Sequence, residues 1–263
     1  MDYEHLKVRA EGPVAWVSMN RPERLNALNA GLVRELRDFF QGLDARSPFR
    51  VVVLQGEGRA FCAGFDLKDA QVARKSVSDM LEVQHGIRNI MLAMRRCPQP
   101  VIGIVQGAAS GGGFALALAS DIRLATPDAR MNAAFIRIGL SACDMGVSYF
   151  LPRMVGVSVA SHYMLSGRFM DAARAQALGL VSHIASYEEL VLEAKALATD
   201  MLNATPLGLR LTKEALGHAV DAGSMEAVIA MEDRNQILCT QGEDFEEGIA
   251  AFLEKRPPRY SGR

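Results

Sequence analysis

The chain has 263 residues, of which 49% are hydrophobic and 22% charged, with a formal net charge of −1. That length is enough for one large domain, or for a domain with an appendage. The near-neutral charge gives no basis for binding nucleic acid or an anionic membrane surface. The N-terminus is charged from Asp2 onward, unlike a signal peptide, and no apolar run reaches the roughly 20 residues of a membrane span. We therefore expect a globular cytoplasmic protein.

The strand and helix patterns alternate through the first half of the chain. In chain order they predict a strand at 14–19, a helix over 28–43, a strand at 51–54, a helix over 77–94, and strands at 101–105 and 121–125. Asn26 or Asn29 suits the N-cap of the first helix. Short apolar strands separated by helices predict an α/β fold with a mostly parallel sheet.

The strand patterns stop after about residue 186, and the chain then reads as successive helices. Turns near 205–206, 222–223 and 241–242 separate these helices. Their content of Leu, Met, Ile and Phe exceeds what an isolated helical tail would expose. We therefore expect a core at 1–187 followed by a helical C-terminal subdomain at 188–263, which buries its apolar residues against another subunit.

The four cysteines are far apart and lack the spacing of metal ligands; they are Cys62, Cys97, Cys143 and Cys239. Because each has apolar neighbours, we expect buried free thiols in a reducing cytoplasm. The sequence predicts no metal site.

Two glycine-rich segments each stand between a strand and the residues that follow it. SGGGFALA at 110–117 contains no lysine, acid or histidine, and it fits a phosphate loop or a dinucleotide fingerprint poorly. GRAFCAGFDL at 58–67 places Gly64 directly before Phe65. Two such turns could each direct a backbone N–H at one point, which suits an oxyanion that forms only during a reaction. The alternative is a close contact between a helix and a strand that only glycine permits.

These two segments belong to a set of four that resembles the crotonase, or enoyl-CoA hydratase/isomerase, superfamily. The set is RPERLNALN (21–29), GRAFCAGFDL (58–67), VIGIVQGAASGGGFALALASDIRLA (101–125) and AFLEKRPPRYSG (251–262). The resemblance implies an α/β fold of the crotonase type, a spiral of ββα units with a C-terminal helical trimerisation region. It also implies a homotrimer or dimer of trimers that acts on an acyl-CoA thioester, with CoA as part of the substrate and no separate cofactor.

The resemblance also implies roles for particular residues. The backbone N–H groups of Phe65 and Gly112 correspond to an oxyanion hole that binds the thioester oxygen and stabilises an enolate. The residues that correspond to contacts with CoA are Ala63 and Asp66, which bound the adenine segment, and the basic residues Arg24, Lys68 and, from a neighbouring subunit, Lys255. The alternative for each of these basic residues is a solvated charge on the protein surface, and the sequence favours neither interpretation.

The sequence departs from the hydratases of that superfamily at two positions. Those enzymes use two glutamates, one to activate water and one to deliver a proton. The corresponding residues here are Ala115 and Phe135, neither of which can transfer a proton. Asp144 falls in the loop where dienoyl-CoA isomerases of the superfamily carry a catalytic aspartate, so we expect it to be the general acid/base. The alternative is that Asp144 caps a helix beginning near Met145.

One acid/base suffices to move a proton between two carbons, so isomerisation is chemically easier for this chain than hydration. The expected function is that of a lyase or isomerase of acyl-CoA metabolism, acting through a stabilised enolate. One alternative is a degenerate member that binds acyl-CoA without turnover. The other is hydrolysis of a thioester or a carbon–carbon bond, which would use the same oxyanion hole.

Overall fold

The computed structural model describes residues 3–68 and 76–262. Their strands are β1 Leu6–Glu11, β2 Val14–Met19, β3 Val51–Gly56, β4 Val101–Val105, β5 Ala108–Ser110, β6 Ile122–Ala125, β7 Arg130–Asn132, β8 Met170–Asp171 and β9 His183–Ile184. Their α-helices are α1 Ala30–Gln41, α2 Val77–Arg96, α3 Gly112–Ala119, α4 Val147–Val155, α5 Val157–Ser166, α6 Ala172–Ala177, α7 Tyr187–Leu202, α8 Pro206–Ala219, α9 Met225–Cys239 and α10 Glu243–Glu254.

The strands form two sheets. The larger has the order β1-β2-β3-β4-β6-β9, with β1 antiparallel to β2 and every other neighbour parallel. The smaller has the order β5-β7-β8. Every residue of β2, β3 and β4 is buried, as expected of parallel strands covered on both faces. The predicted α/β fold with a mostly parallel sheet is confirmed.

Helices cover both faces of the larger sheet. The apolar stripes of α1 and α2 join one core cluster, and their buried members include Leu32, Leu36, Phe40, Ile90 and Met94. On the other face, α7 packs against the strands through Leu190, Ala194 and Ala198. The boundary that the sequence predicts at residue 187 therefore coincides with the start of a helix that belongs to the core of the sheet. The division into two subdomains stays a prediction.

The helices after α7 leave much apolar surface uncovered. Helix α9 has no fully buried residue, and Phe252 and Leu253 at the end of α10 are 83% and 74% exposed. Lys213 connects α8 to the core, because its buried Nζ lies 3.0 Å from Asp121 Oδ2. The predicted burial of these helices against another subunit stays a prediction. In the part of the chain that is described, no helix is both long and apolar enough to cross a membrane.

Two expectations need correction. The first predicted helix begins at Ala30 rather than Leu28, because the Asn29 side chain accepts a hydrogen bond from the Leu32 N–H and caps it. All four cysteines are free thiols, but only Cys62 and Cys97 are buried. Cys143 is exposed on the loop before α4, since its neighbours Ala142 and Met145 turn inward instead; Cys239 is half-buried.

Candidate active site

The first glycine turn is held by a short parallel bridge between Leu28 and Phe65. Leu28 N–H donates to the Gly64 carbonyl at 2.7 Å, and Asp66 N–H donates to the Leu28 carbonyl at 3.0 Å. Gly64 and Asp66 thus make the two hydrogen bonds to Leu28. In a parallel bridge of this kind, the residue between them directs its own N–H and C=O away from the partner strand. The Phe65 N–H therefore points away from Leu28. Within residues 3–68 and 76–262 it donates no hydrogen bond.

The second glycine turn begins α3, as the sequence predicts. Gly111 is the N-cap with a φ of +51°, and its N–H donates to the Asn132 carbonyl at 2.9 Å. Gly112 is the first helical residue, where an N–H has no partner within the helix. Among the described residues this N–H also donates no hydrogen bond. The positive end of the helix dipole therefore lies at an unpaired donor.

The two turns meet through backbone contacts. Cys62 bridges Ala109, donating to the Ala108 carbonyl and accepting from the Ser110 N–H, each at 3.0 Å. A Cβ added to Gly64 would lie 2.7 Å from the Ser110 oxygen and 3.6 Å from the Gly112 nitrogen. Only glycine permits this approach at a φ of +95°. The structure thus brings into contact the two turns that carry these N–H groups.

Asp144 lies on the loop before α4, close to the second turn. Its neighbour Met145 is buried, and the Met145 sulfur would lie 3.2 Å from a Cβ on Gly112. Asp144 is half-buried, and its Oδ1 accepts hydrogen bonds from Met145 N–H at 2.7 Å and from Gln84 Nε2. The sequence offers no signal for Gln84, which is on α2.

The alternative role of Asp144 as a helix cap is wrong. Helix α4 begins at Val147, its N-cap is Gly146, and no side chain caps it. Asp144 contributes only its backbone carbonyl, which accepts from Val147 N–H at 2.9 Å. Its carboxylate is therefore not used to satisfy the helix terminus.

The two positions that would hold glutamates in a hydratase are apolar and buried. Ala115 is fully buried on α3, and Phe135 is 3% exposed on a short 3-10 helix at 134–138. The Phe135 ring lies 3.5 Å from the Cβ position of Gly111. Hydrophobic groups therefore occupy the surroundings of the second turn, and Asp144 supplies the carboxylate nearby.

Asp66 is committed to an ion pair that the sequence does not reveal. Its Oδ2 lies 3.0 Å from Arg21 Nη2, and both side chains are almost buried. Burial alone would raise the pKa of Asp66, but the hydrogen bond and charge of Arg21 outweigh it and hold the pKa below its ordinary value. This pair anchors the turn that carries Phe65. Arg21 is the first residue of RPERLNALN, but nothing in that motif indicates Asp66 as its partner.

The remaining residues predicted to contact CoA lie on the surface around this turn or far along the chain. Arg24 is exposed on a short 3-10 helix, and Lys68 is exposed at the end of the described segment. Ala63 is half-buried, and its N–H donates to the Leu25 carbonyl at 2.9 Å. Lys255 is exposed at the C-cap of α10. Their roles toward CoA stay predictions.

Comparison with known proteins identifies the family of this chain. The profile of the enoyl-CoA hydratase/isomerase family matches residues 9–263. The chain is 38% identical to a probable enoyl-CoA hydratase of Mycobacterium tuberculosis, over 94% of this chain and 89% of that protein. It is 32% identical to the 1,2-epoxyphenylacetyl-CoA isomerase of Escherichia coli, over 99% of each.

The fold agrees as well. The crystal structure of an enoyl-CoA hydratase from Bacillus anthracis superimposes with a TM-score of 0.93 at 31% identity, covering 99% of this chain and 100% of that one. The spiral sheet with its helical C-terminal part is thus the crotonase fold. Since the match runs along the chain in sequence and in structure, this protein belongs to the enoyl-CoA hydratase/isomerase family.

Proposed function

We propose that this protein is an acyl-CoA isomerase that moves a double bond by transferring a proton between two carbons of the thioester. The N–H groups of Phe65 and Gly112 form the oxyanion hole, and Asp144 is the general acid/base. The observation that carries the proposal is the meeting of two turns with unpaired N–H groups, beside a loop whose half-buried carboxylate caps no helix.

The chemistry needs only these groups. The Asp144 carboxylate removes a proton from the α-carbon of a 3-enoyl thioester, and the electron pair moves toward the carbonyl oxygen. The two N–H groups stabilise the oxyanion of the resulting dienolate. The protonated Asp144 then returns the proton to the γ-carbon, which gives the conjugated 2-enoyl thioester. Hydration by two glutamates is unavailable because Ala115 and Phe135 cannot transfer protons.

The substrate's CoA moiety is proposed to lie along the first turn. Backbone groups between Ala63 and Asp66 face the adenine, and Arg24 and Lys68 supply positive charge for the phosphates. Lys255 would contribute from a neighbouring subunit of a homotrimer or a dimer of trimers. The exposed apolar residues on α8, α9 and α10 support such an assembly.

The test uses trans-3-hexenoyl-CoA and trans-2-hexenoyl-CoA, with ultraviolet absorbance reporting the conjugated thioester. We expect absorbance to rise with the 3-enoyl ester, and Asp144→Asn to lower turnover about 10²- to 10⁴-fold. Asp200→Asn on the exposed surface of α7 is the matched control, because it makes the same change away from the site.

Other outcomes identify the alternatives. Full turnover by Asp144→Asn would overturn the assigned role of that residue. Loss of absorbance with the 2-enoyl ester, with a 3-hydroxyacyl ester as the product, would indicate hydration, and release of free CoA would indicate a hydrolase. Tight binding of both esters by the wild-type protein without any reaction would identify a binding protein instead.

A further inference from the structure

Among the described residues, hydrogen bonds reach only one of the two carboxylate oxygens of Asp144. Oδ1 accepts two hydrogen bonds, from Gln84 Nε2 at 2.5 Å and from Met145 N–H at 2.7 Å. Within residues 3–68 and 76–262, Oδ2 accepts none. The two oxygens therefore differ, since one is fixed by the protein and the other keeps its lone pairs for another partner.

Gln84 reaches this loop from α2, 60 residues earlier in the chain. It precedes Ile87 by three positions, Met91 by seven and Met94 by ten, so the four side chains share one helix face. Those three apolar residues are buried, and Gln84 is half-buried. Gln84 therefore occupies the turn where the inward face of α2 leaves the core and meets the Asp144 loop.

We propose that Gln84 is a positioning residue, which holds Asp144 Oδ1 so that Oδ2 faces the reacting carbons. The inference rests on the proposed function of Asp144. The terminal torsion of an aspartate is broad, so its carboxylate needs a partner to keep one orientation. Proton transfer needs the accepting oxygen within hydrogen-bond reach, and a misplacement of about 1 Å costs on the order of 100-fold in rate.

An amide is suited to this task. It donates a hydrogen bond without adding a charge, so it fixes the carboxylate without forming an ion pair that would compete with proton transfer. Only the amide nitrogen can face Asp144 Oδ1, because the amide oxygen would oppose another acceptor. The identity of the donor therefore also fixes the rotamer of Gln84.

The test compares Gln84→Met with Glu82→Met. Methionine keeps the length and helix propensity of glutamine but removes the donor. Glu82 is exposed on the same helix, so its substitution controls for the added thioether. With trans-3-hexenoyl-CoA, we expect Gln84→Met to lower kcat about 10- to 100-fold while KM changes less than about 3-fold. Glu82→Met should keep wild-type kinetics.

A crystal structure of Gln84→Met separates positioning from general stability. The expected result is that the Asp144 carboxylate turns while α2 keeps its path. A carboxylate in its original orientation would overturn the inference, whatever the activity. Wild-type kcat in Gln84→Met would also overturn it. Failure of the proposed function has a different signature, which is full turnover by Asp144→Asn.

Discussion

Replacing Gly64 with alanine tests whether the contact between the two glycine turns is what permits the reaction. Gly64 has a φ of +95°, a region that costs an alanine about 1–2 kcal/mol. The new methyl carbon would lie 2.7 Å from the Ser110 carbonyl oxygen, so one of the two turns must shift. Gly179 has a φ of +75° with no atom within 4 Å of its Cβ position, so Gly179→Ala carries the backbone cost alone.

The effect on catalysis follows from the donors that flank this contact. Loss of one oxyanion donor costs about 3–4 kcal/mol, or on the order of 10²- to 10³-fold in kcat. The shift at Gly64 displaces the Phe65 N–H, the Gly112 N–H or both, without deleting either. We therefore expect a loss of about 100-fold in Gly64→Ala and wild-type kcat in Gly179→Ala.

The assay combines thermal unfolding with turnover of trans-3-hexenoyl-CoA. Both variants should lose stability, and Gly64→Ala should lose more because it adds the steric term. If Gly64→Ala matched Gly179→Ala in melting temperature, the inferred close approach would be refuted. If it were less stable but retained wild-type kcat, the turns would meet for structural reasons alone, and the assignment of the oxyanion hole would fail.

Three further predictions concern buried groups. Arg21→Met leaves Asp66 buried without its partner and should cost about 3–5 kcal/mol in urea unfolding at neutral pH. Because Arg21 holds the folded pKa of Asp66 below its ordinary value, the ion pair contributes its full stability above the unfolded pKa of that carboxyl, and this contribution is lost as pH falls through the folded pKa; an unchanged acid dependence in Arg21→Met would contradict this. Lys213→Met leaves the Met94 and Gln99 carbonyls without their buried ammonium donor, while Asp121 keeps Arg95 as a partner; unfolding in urea should therefore show a smaller loss of about 1–3 kcal/mol, and an unchanged free energy of unfolding would contradict this. In the native protein at mildly alkaline pH, maleimide should label the exposed Cys143 first and spare Cys62, whose pKa burial raises to about 12; mass spectrometry of the labelled peptides would reveal the opposite order.

The sequence predicted the elements that carry their own periodicity. The strand at 14–19 and the helix over 77–94 are confirmed as β2 and as most of α2. The short strands β5, β7, β8 and β9 were not predicted, because two or three residues are too few to show alternation. These strands exist through pairing with distant segments, as β5 pairs with β7.

The residues of the candidate site also fall into two groups, those that a local motif marks and those that it does not. Motifs marked the turns that carry Phe65 and Gly112, because glycine is needed wherever the backbone approaches itself. Gln84 and Arg21 were not predicted as site residues, since their contacts span 60 and 45 residues and nothing in their local pattern marks them. Side-chain partners of this kind follow from the fold and can be assigned only after it is known.

Because the N–H groups of Phe65 and Gly112 belong to the main chain, their position affects which mutations this protein can tolerate. A substitution at Phe65 by any residue other than proline leaves the backbone N–H in place, whereas one at Gly64 or Gly113 would drive a side chain into backbone atoms of the other turn. The mutations that abolish stabilisation of the oxyanion should therefore be mainly those that replace these glycines. Proton transfer is sensitive to substitution in the opposite way, because it depends on single side chains such as Asp144. A lineage with this fold can exchange those side chains, and so change which bond reacts, while its descendants keep the means of stabilising the charge.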